Sequence, residues 1–347
     1  MNSSTALARA VVDQLIESGV RDFVLSPGSR SAPVALLLAQ RERDGQVRLH
    51  VRIDERSAAY LGLGIARIGG DPVAVVCTSG TAVANYAPAV VEASYAGIPL
   101  VVVSCDRPPE MRNTGSNQTI DQVGLFGTMM RRSVDVVAER DRADQGDQWR
   151  FQVARCVWAA VGMDPASARG RSLAGPVQIN IGFREPLVPA DGDPRTGQSR
   201  RDGPPPPTKV VAVREPVDYL LGDIGIFTVP ARTVLVAGDI VDPADSVAVM
   251  RLARSCGWPI VAEPSGNALC ADAAVAASAL LLRDGSWLEQ HRPELVITVG
   301  RFGLDRSTMA LVRSAETHLA VGLSGKDRPD PLHSAAAVLS AVPLPPS

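Results

Sequence analysis

Two periods alternate along the first half of the chain. Apolar residues recur at helical spacing in "SSTALARAVVDQLIES", then stand in an unbroken run in "RDFVLS". The first pattern predicts an amphipathic helix with Ser/Thr caps and Gly19 as its stop, the second a short buried strand. The alternation continues. "VALLLAQRER", "ERSAAYLGLGIARIGG", "TAVANYAPAVVEASYAG" and the stretch around "WRFQVARCVWAAVG" read as helices. "QVRLHVR", "DPVAVVC", "IPLVVVSCD" and "GPVQINIGF" read as strands. Strands that are apolar throughout and separated by helices predict a parallel sheet covered on both faces.

The pattern breaks at residues 187–216, which are rich in Pro, Gly, Arg and Asp and include four consecutive prolines, Pro204 to Pro207. Such a stretch favours an extended connector. It separates a first domain, residues 1–186, from a second, residues 217–347. The second domain resumes the α/β alternation with "RTVLVAGDI", "WPIVAEPSG", "PELVITVG" and "THLAVGL" as strands. Asp242 and Pro243 suit the cap and first position of the helix that follows. The predicted fold class is therefore α/β, with two doubly wound, mainly parallel sheets. "VAGDIVDPAD" lacks both the GxGxxG spacing and a Walker lysine, which argues against a phosphate loop. The final "AVLSAVPLPPS" reads as a linker-like end.

Composition narrows the function classes. With 35 basic and 37 acidic residues the net charge is −2, and aromatic residues are only 4%. Neither a nucleic-acid surface nor a base-stacking platform is expected. No stretch reaches about 18 apolar residues without a charge, so no membrane span is expected. Cys77, Cys105, Cys156, Cys256 and Cys270 are scattered, with no CxxC pair, which fits a reducing cytoplasm and no zinc site.

Candidate chemistry collects at the strand ends of the first domain, where ligands of open parallel sheets sit. Pro27-Gly28-Ser29-Arg30-Ser31 follows the first strand and Asp54-Glu55 the second. Thr78-Ser79-Gly80-Thr81 follows the third, and Asp106-Arg107-Pro108-Pro109-Glu110 the fourth, with Ser116, Asn117 and Gln118 soon after. Each has a plain structural reading. "PGSR" alone is a turn and a helix cap, "TSGT" a strand-to-helix turn, "DRPPE" an ion pair stiffened by prolines, and Asp54-Glu55 a helix start suited to the macrodipole. Together, at successive ends of one sheet, they bring an acid, two arginines, hydroxyls and carboxamides to one edge. A helix N-terminus beside an Arg fork suits a carboxylate.

"DERSAAYLGLGIAR" resembles the pyrimidine-binding domain of thiamine-diphosphate enzymes. "SPGSRSAP", "TSGTAVAN", "CDRPPEMRNTGSNQTIDQ" and "GPVQINIGFREPL" are similar to the branch formed by the 2-succinyl-5-enolpyruvyl-6-hydroxy-3-cyclohexene-1-carboxylate synthases of menaquinone biosynthesis. The resemblance is dense over the first domain and one of pattern over the second. It implies a carboligase that decarboxylates 2-oxoglutarate and adds the succinyl unit to isochorismate. Glu55 and Gln118 would be catalytic, and Glu55 and Thr78 would bind the cofactor. Ser29, Arg30, Arg107, Asn117, Gln118 and, in the second domain, Arg306 would bind substrate. Glu55 would hydrogen-bond N1′ of the aminopyrimidine, in apolar surroundings supplied by the Ala, Leu, Gly and Ile wall of its helix, whose small residues would let the ring approach. Another thiamine-dependent carboligase, such as an acetolactate-synthase relative, shares only the Glu and the "TSG" turn. A non-catalytic two-domain module is the alternative of a different class.

Members of that family carry a third domain that binds the diphosphate and Mg²⁺ through Gly-Asp-Gly and a later Asn. Neither "ADGDP" (residues 190–194) nor "LRDGSW" (residues 282–287) fits that mark. The expectation is of a chain covering the first two domains, with no metal site of its own, unable to hold the cofactor tightly or turn over alone. The resemblance also implies a homodimer or homotetramer, with sites assembled across an interface between chains.

Overall fold

The computed structural model describes residues 2–138, 145–163, 173–188, 230–322, 329–339 and 341–343. The chain divides into two compact units, Met1–Ala212 and Val213–Ser347. The predicted connector at 187–216 lies outside the described residues, apart from its first two positions.

In the first unit six parallel strands form one sheet in the order β2-β1-β3-β4-β6-β5. They are β1 (Asp22–Leu25), β2 (Arg48–Val51), β3 (Val73–Cys77), β4 (Leu100–Asp106), β5 (Arg132–Val137) and β6 (Val177–Gly182). Helices α1 (Ser3–Glu17), α2 (Ala32–Arg43), α3 (Glu55–Gly69), α4 (Thr81–Ala84), α5 (Ala87–Ala96) and α6 (Gln145–Ala160) accompany it. β1, β3, β4 and β6 are buried along their whole length, as continuous apolar strands between two helical layers must be. Two apolar clusters result. One gathers Leu7, Val11 and Leu15 of α1 with Val153 and Val157 of α6. The other gathers Ala58, Ala59 and Leu63 of α3 with Val83, Tyr86 and Val90.

Three details depart from the sequence reading. Asn2, not a Ser or Thr, caps α1, its side chain accepting from Thr5 N at 2.7 Å. The predicted single helix over 81–97 is two, α4 and α5, broken at Asn85–Tyr86. Pro88 has no N–H to bond back toward residue 84, so the turn tightens, with Tyr86 N donating to Val83 O at 3.1 Å. β5 was not anticipated. It is an edge strand whose burial is mixed, so its apolar run is short.

α3 approaches its sheet through a gap that only glycine leaves. A Cβ on Gly62 would lie 2.5 Å from Val75 Cγ1. The Ala/Gly face of α3, read from the sequence as a wall for a flat ring, is thus spent on its own sheet: Ala58, Ala59, Gly62, Leu63 and Ala66 are all buried there.

The second unit carries five parallel strands in the order β11-β10-β9-β7-β8. They are β7 (Thr233–Ala237), β8 (Ile260–Ala262), β9 (Leu295–Val299), β10 (Thr317–Val321) and β11 (Ala337–Leu339). Helices α7 (Pro243–Cys256), α8 (Ser278–Leu281), α9 (Gly285–Gln290) and α10 (Arg306–Ser314) connect them. Asp242 caps α7 as expected, accepting from Ala244 N at 2.9 Å. The supposed linker-like end supplies β11, because Ala337, Val338 and Leu339 pair in parallel with Leu319, Ala320 and Val321 before the prolines begin.

β2 leads into Glu55, so its attachment positions that residue. The buried Asp22 of β1 accepts from Arg48 Nε at 2.8 Å, pairs again with the same guanidinium, and lies 3.0 Å from His50 Nε2. The Arg48 hydrogen bonds foremost, with help from His50 and against burial, hold the Asp22 carboxyl below the usual carboxylate range. A depressed acid contributes stability above its unfolded pKa of about 3.9 and loses it as pH falls through the folded value. Asp22→Asn is therefore expected to destabilise the protein at neutral pH. In urea unfolding at a series of pH values, its deficit against the wild type should shrink below about pH 4.

Candidate functional site

The chain winds away from β1 in both directions, with β2 on one side and β3 on the other. The crevice at such a switch point is where open α/β sheets bind ligands. Here the loop after β1 meets the loop after β3 closely. A Cβ on Gly28 would fall 2.4 Å from Thr78 Cβ. With glycine there, Arg30 N reaches Thr78 Oγ1 at 3.3 Å and Ser31 Oγ donates to Gly28 O at 3.0 Å. The Arg30 side chain turns inward and is buried. Its guanidinium donates to Phe183 O at 2.9 Å, beyond the end of β6, and its Nε has no hydrogen-bond partner among the described residues.

The loops after β3 and β4 are tied together through a second glycine. Gly80 has φ +83°, and a Cβ there would meet Gln118 Cγ at 2.8 Å. Gln118, itself at φ +54°, donates from Nε2 to Ser79 O at 3.0 Å. Arg107 closes the arrangement by donating to Gln118 O at 3.0 Å and to Ser79 Oγ. Burial, then the like charge of Arg30, push the Arg107 guanidinium below its ordinary pKa, against the opposite pull of Asp106 and Glu185. Two cations are therefore held close at one sheet edge, which favours an anion between them.

Glu55 is the first residue of α3, and its neighbour Asp54 takes the capping role, accepting from Ser57 N at 2.7 Å. That leaves the half-buried Glu55 carboxylate with no hydrogen bond among the described residues. It stands near the buried Cys77 and Tyr86, whose ionisation its charge further disfavours after burial has done most. Thr78 is buried, while Ser29 and Asn117 are exposed at the same edge. Arg306 lies in the second unit, exposed at the first position of α10. The region "LRDGSW" is a helix start, with Asp284 capping α9 through Ser286 N and Trp287 N. "ADGDP" lies outside the described residues. Among the described residues no three His, Cys, Asp or Glu side chains are grouped to hold a metal ion.

At the second unit's switch point, between β7 and β9, the backbones themselves fill the crevice. A Cβ on Gly238 would lie 2.2 Å from Arg301 O, and one on Gly300 2.4 Å from Asp239 O.

Under the first unit's edge runs a buried polar network that the sequence reading missed. Asn180 of β6 donates to Asp106 Oδ2 at 3.0 Å and Asp135 Oδ1 at 2.9 Å. Its Oδ1 accepts from Ser104 Oγ at 2.9 Å and Gln122 Nε2 at 3.0 Å. Gln122 Oε1 in turn accepts from Gly80 N at 2.8 Å, and Gln178 Nε2 donates to Ser104 Oγ at 3.1 Å. Arg112 joins Asp135 through two bonds, at 2.7 and 2.9 Å, and reaches Asp106 at 3.1 Å. Asp106 Oδ1 accepts from Arg107 N at 2.7 Å. Burial pushes the Asp106 carboxyl up, against Asn180 and Arg112. The available signal was the polar Gln178 and Asn180 inside an otherwise apolar strand. Asn180→Ala strips partners from two carboxylates at once, so it is expected to cost roughly 3 kcal/mol. Asn117→Ala, at an exposed position, should stay within about 0.5 kcal/mol. Denaturant unfolding followed by the fluorescence of Trp149 and Trp158 measures both.

Residues 5–125 match the family described as thiamine pyrophosphate enzyme, N-terminal TPP binding domain. The whole chain is 43% identical to the 2-succinyl-5-enolpyruvyl-6-hydroxy-3-cyclohexene-1-carboxylate synthase of Thermobifida fusca, and covers 59% of it. Over 92% of the chain it is 44% identical to the same synthase of Kineococcus radiotolerans, covering 55% of that protein. Over 95% it is 41% identical to that of Mycobacterium avium, covering 56%. The chain thus spans less than three fifths of the length of these curated relatives. The chain is thus similar over its whole length to part of the 2-succinyl-5-enolpyruvyl-6-hydroxy-3-cyclohexene-1-carboxylate synthases, and its residues 5–125 match the N-terminal domain of thiamine pyrophosphate enzymes.

Proposed function

We propose that the chain supplies the pyrimidine-binding and substrate-binding portion of a thiamine-diphosphate-dependent carboligase. The reaction would join the succinyl unit of decarboxylated 2-oxoglutarate to isochorismate in menaquinone biosynthesis. One observation carries this reading: Arg30 and Arg107 converge at the sheet edge that also holds Gln118, and both substrates are dicarboxylates. Carboxylates leaving water need fixed cations and N–H donors.

The cofactor reading rests on Glu55. A half-buried carboxyl with no hydrogen bond of its own, beside Cys77 and Tyr86, fits a group that shares a proton with a ring nitrogen. Glu55 would hold the aminopyrimidine at N1′, with Thr78 at the neighbouring turn. When bound, thiamine diphosphate supplies the electron sink that decarboxylation of a 2-oxo acid needs. Arg30 and Arg107 would orient the carboxylates, Ser29 and Asn117 would contact them from the exposed rim, and Gln118 would hold the acceptor substrate beside the reacting centre. Arg306, in the second unit, is a further proposed substrate-binding cation. No described residue is assigned to Mg²⁺, which would accompany the diphosphate.

A second copy of the chain is the proposed partner, as a homodimer or a higher assembly. Tyr60 and Ile68 of α3 and Val91 and Tyr95 of α5 leave apolar side chains exposed on two adjacent helices, which supports a covered face there. No helix among the described residues is long and apolar enough to cross a membrane. Five unpaired cysteines support a reducing, cytoplasmic setting.

Carboligation measured with the chain joined to the remaining portion of a family member tests the reading. Glu55→Gln should abolish turnover while circular dichroism and the melting temperature stay unchanged. Arg107→Ala should lower kcat/KM for the oxo acid by about 2–5 kcal/mol in transition-state terms, the cost of removing one partner of a buried charge pair. Wild-type rates in either variant would overturn the assignment.

A further inference from the structure

Glu185 has no role in the site as described, yet it is the carboxylate best placed to interfere with it. It follows β6 by three residues, and its Oε1 stands 3.4 Å from the buried Arg30 guanidinium. That distance is too long for a good hydrogen bond, and none is made to Glu185 by any other described residue. Its side chain is 70% exposed, while that of Arg30 is 10% exposed. Its charge also reaches Arg107, countering part of the repulsion from Arg30.

The other acid near these cations is held quite differently. Asp106 is fully buried and saturated, accepting from Arg107 N, Asn180 and Arg112. It cannot leave. Arg30 is fixed from the other side by Phe183 O, and its buried Nε remains without a partner. A buried guanidinium short of partners calls for an anion. Glu185 supplies one loosely, from the solvent side, on a long side chain free to turn away.

We propose that Glu185 is a displaceable counter-ion of the carboxylate site. It balances Arg30 and Arg107 while no ligand is there, and swings into solvent when a ligand carboxylate takes its place. An incoming anion must outcompete it, which weakens every anion by the same factor and leaves ligands that engage both guanidinium groups, such as dicarboxylates, as those tight enough to displace it. The role rests on the reading that Arg30 and Arg107 bind carboxylates.

The test titrates the intact chain with succinate, following the arginine Nε–Hε signals by NMR, for the wild type, Glu185→Gln and Glu185→Asp. The exposure of Glu185 makes both variants compatible with the fold. Removing a partly exposed competing charge should tighten succinate binding about two- to fivefold in Glu185→Gln. Glu185→Asp, shorter but still charged, should fall between. Acetate should gain by about the same factor as succinate, because displacing Glu185 costs each ligand alike. Equal or weaker binding in Glu185→Gln would overturn the proposal and leave Glu185 a mere support for Arg30. Absence of saturable binding in every form would overturn the carboxylate reading itself, and the counter-ion role with it.

Discussion

One amide side chain ties together the edge on which the site is built. The inner strands of the six-stranded sheet are buried on both faces, and each polar group they carry must find a partner. Asn180 meets that demand for the C-terminal end of the first sheet. Its two N–H bonds go to Asp106 and Asp135, and its oxygen takes Ser104 and Gln122. Through Gln122 it reaches the Gly80 turn, and through Asp106 the backbone of Arg107. The loops that carry Ser79, Gln118 and Arg107 are therefore not independent; they share one hydrogen-bonded base.

That base explains how two like charges can stay close. Arg30 and Arg107 repel, and each is partly withdrawn from water. Neither can move far. Phe183 O holds one guanidinium, while Ser79 and Gln118 O hold the other. Rigid backbone acceptors impose the cost of the pairing before any ligand arrives, which is how preorganised anion sites work. The second unit uses the same winding to a different end. At its switch point the backbone strands pass so closely that glycine is required at Gly238 and Gly300.

Much of the strand framework was legible because continuous apolar runs such as "LVVVSC" have little alternative to a buried parallel strand. Their ends follow from those runs, and the structure brings Arg30, Thr78, Arg107 and Gln118 to one edge. What escaped was of two kinds. Short edge strands such as β5 and β11 carry mixed or brief patterns, since one side of each faces no neighbour. The network around Asn180 escaped because polar residues in a strand resemble noise until their partners, up to 76 residues distant, are known. The Ala/Gly face of α3 shows a third difficulty. Small residues announce close approach but not what approaches, and at Gly62 it is Val75.

That close approach has a mechanical corollary. Gly62 lies seven positions after Glu55, about two turns or 10 Å along the same rod. The stand-off between rod and sheet is fixed by a hydrogen atom where every other amino acid would put a carbon. Any side chain at position 62 would act as a shim under the far part of the rod, tilting its leading end. The acid at that end would be displaced without a single atom of its own having been altered.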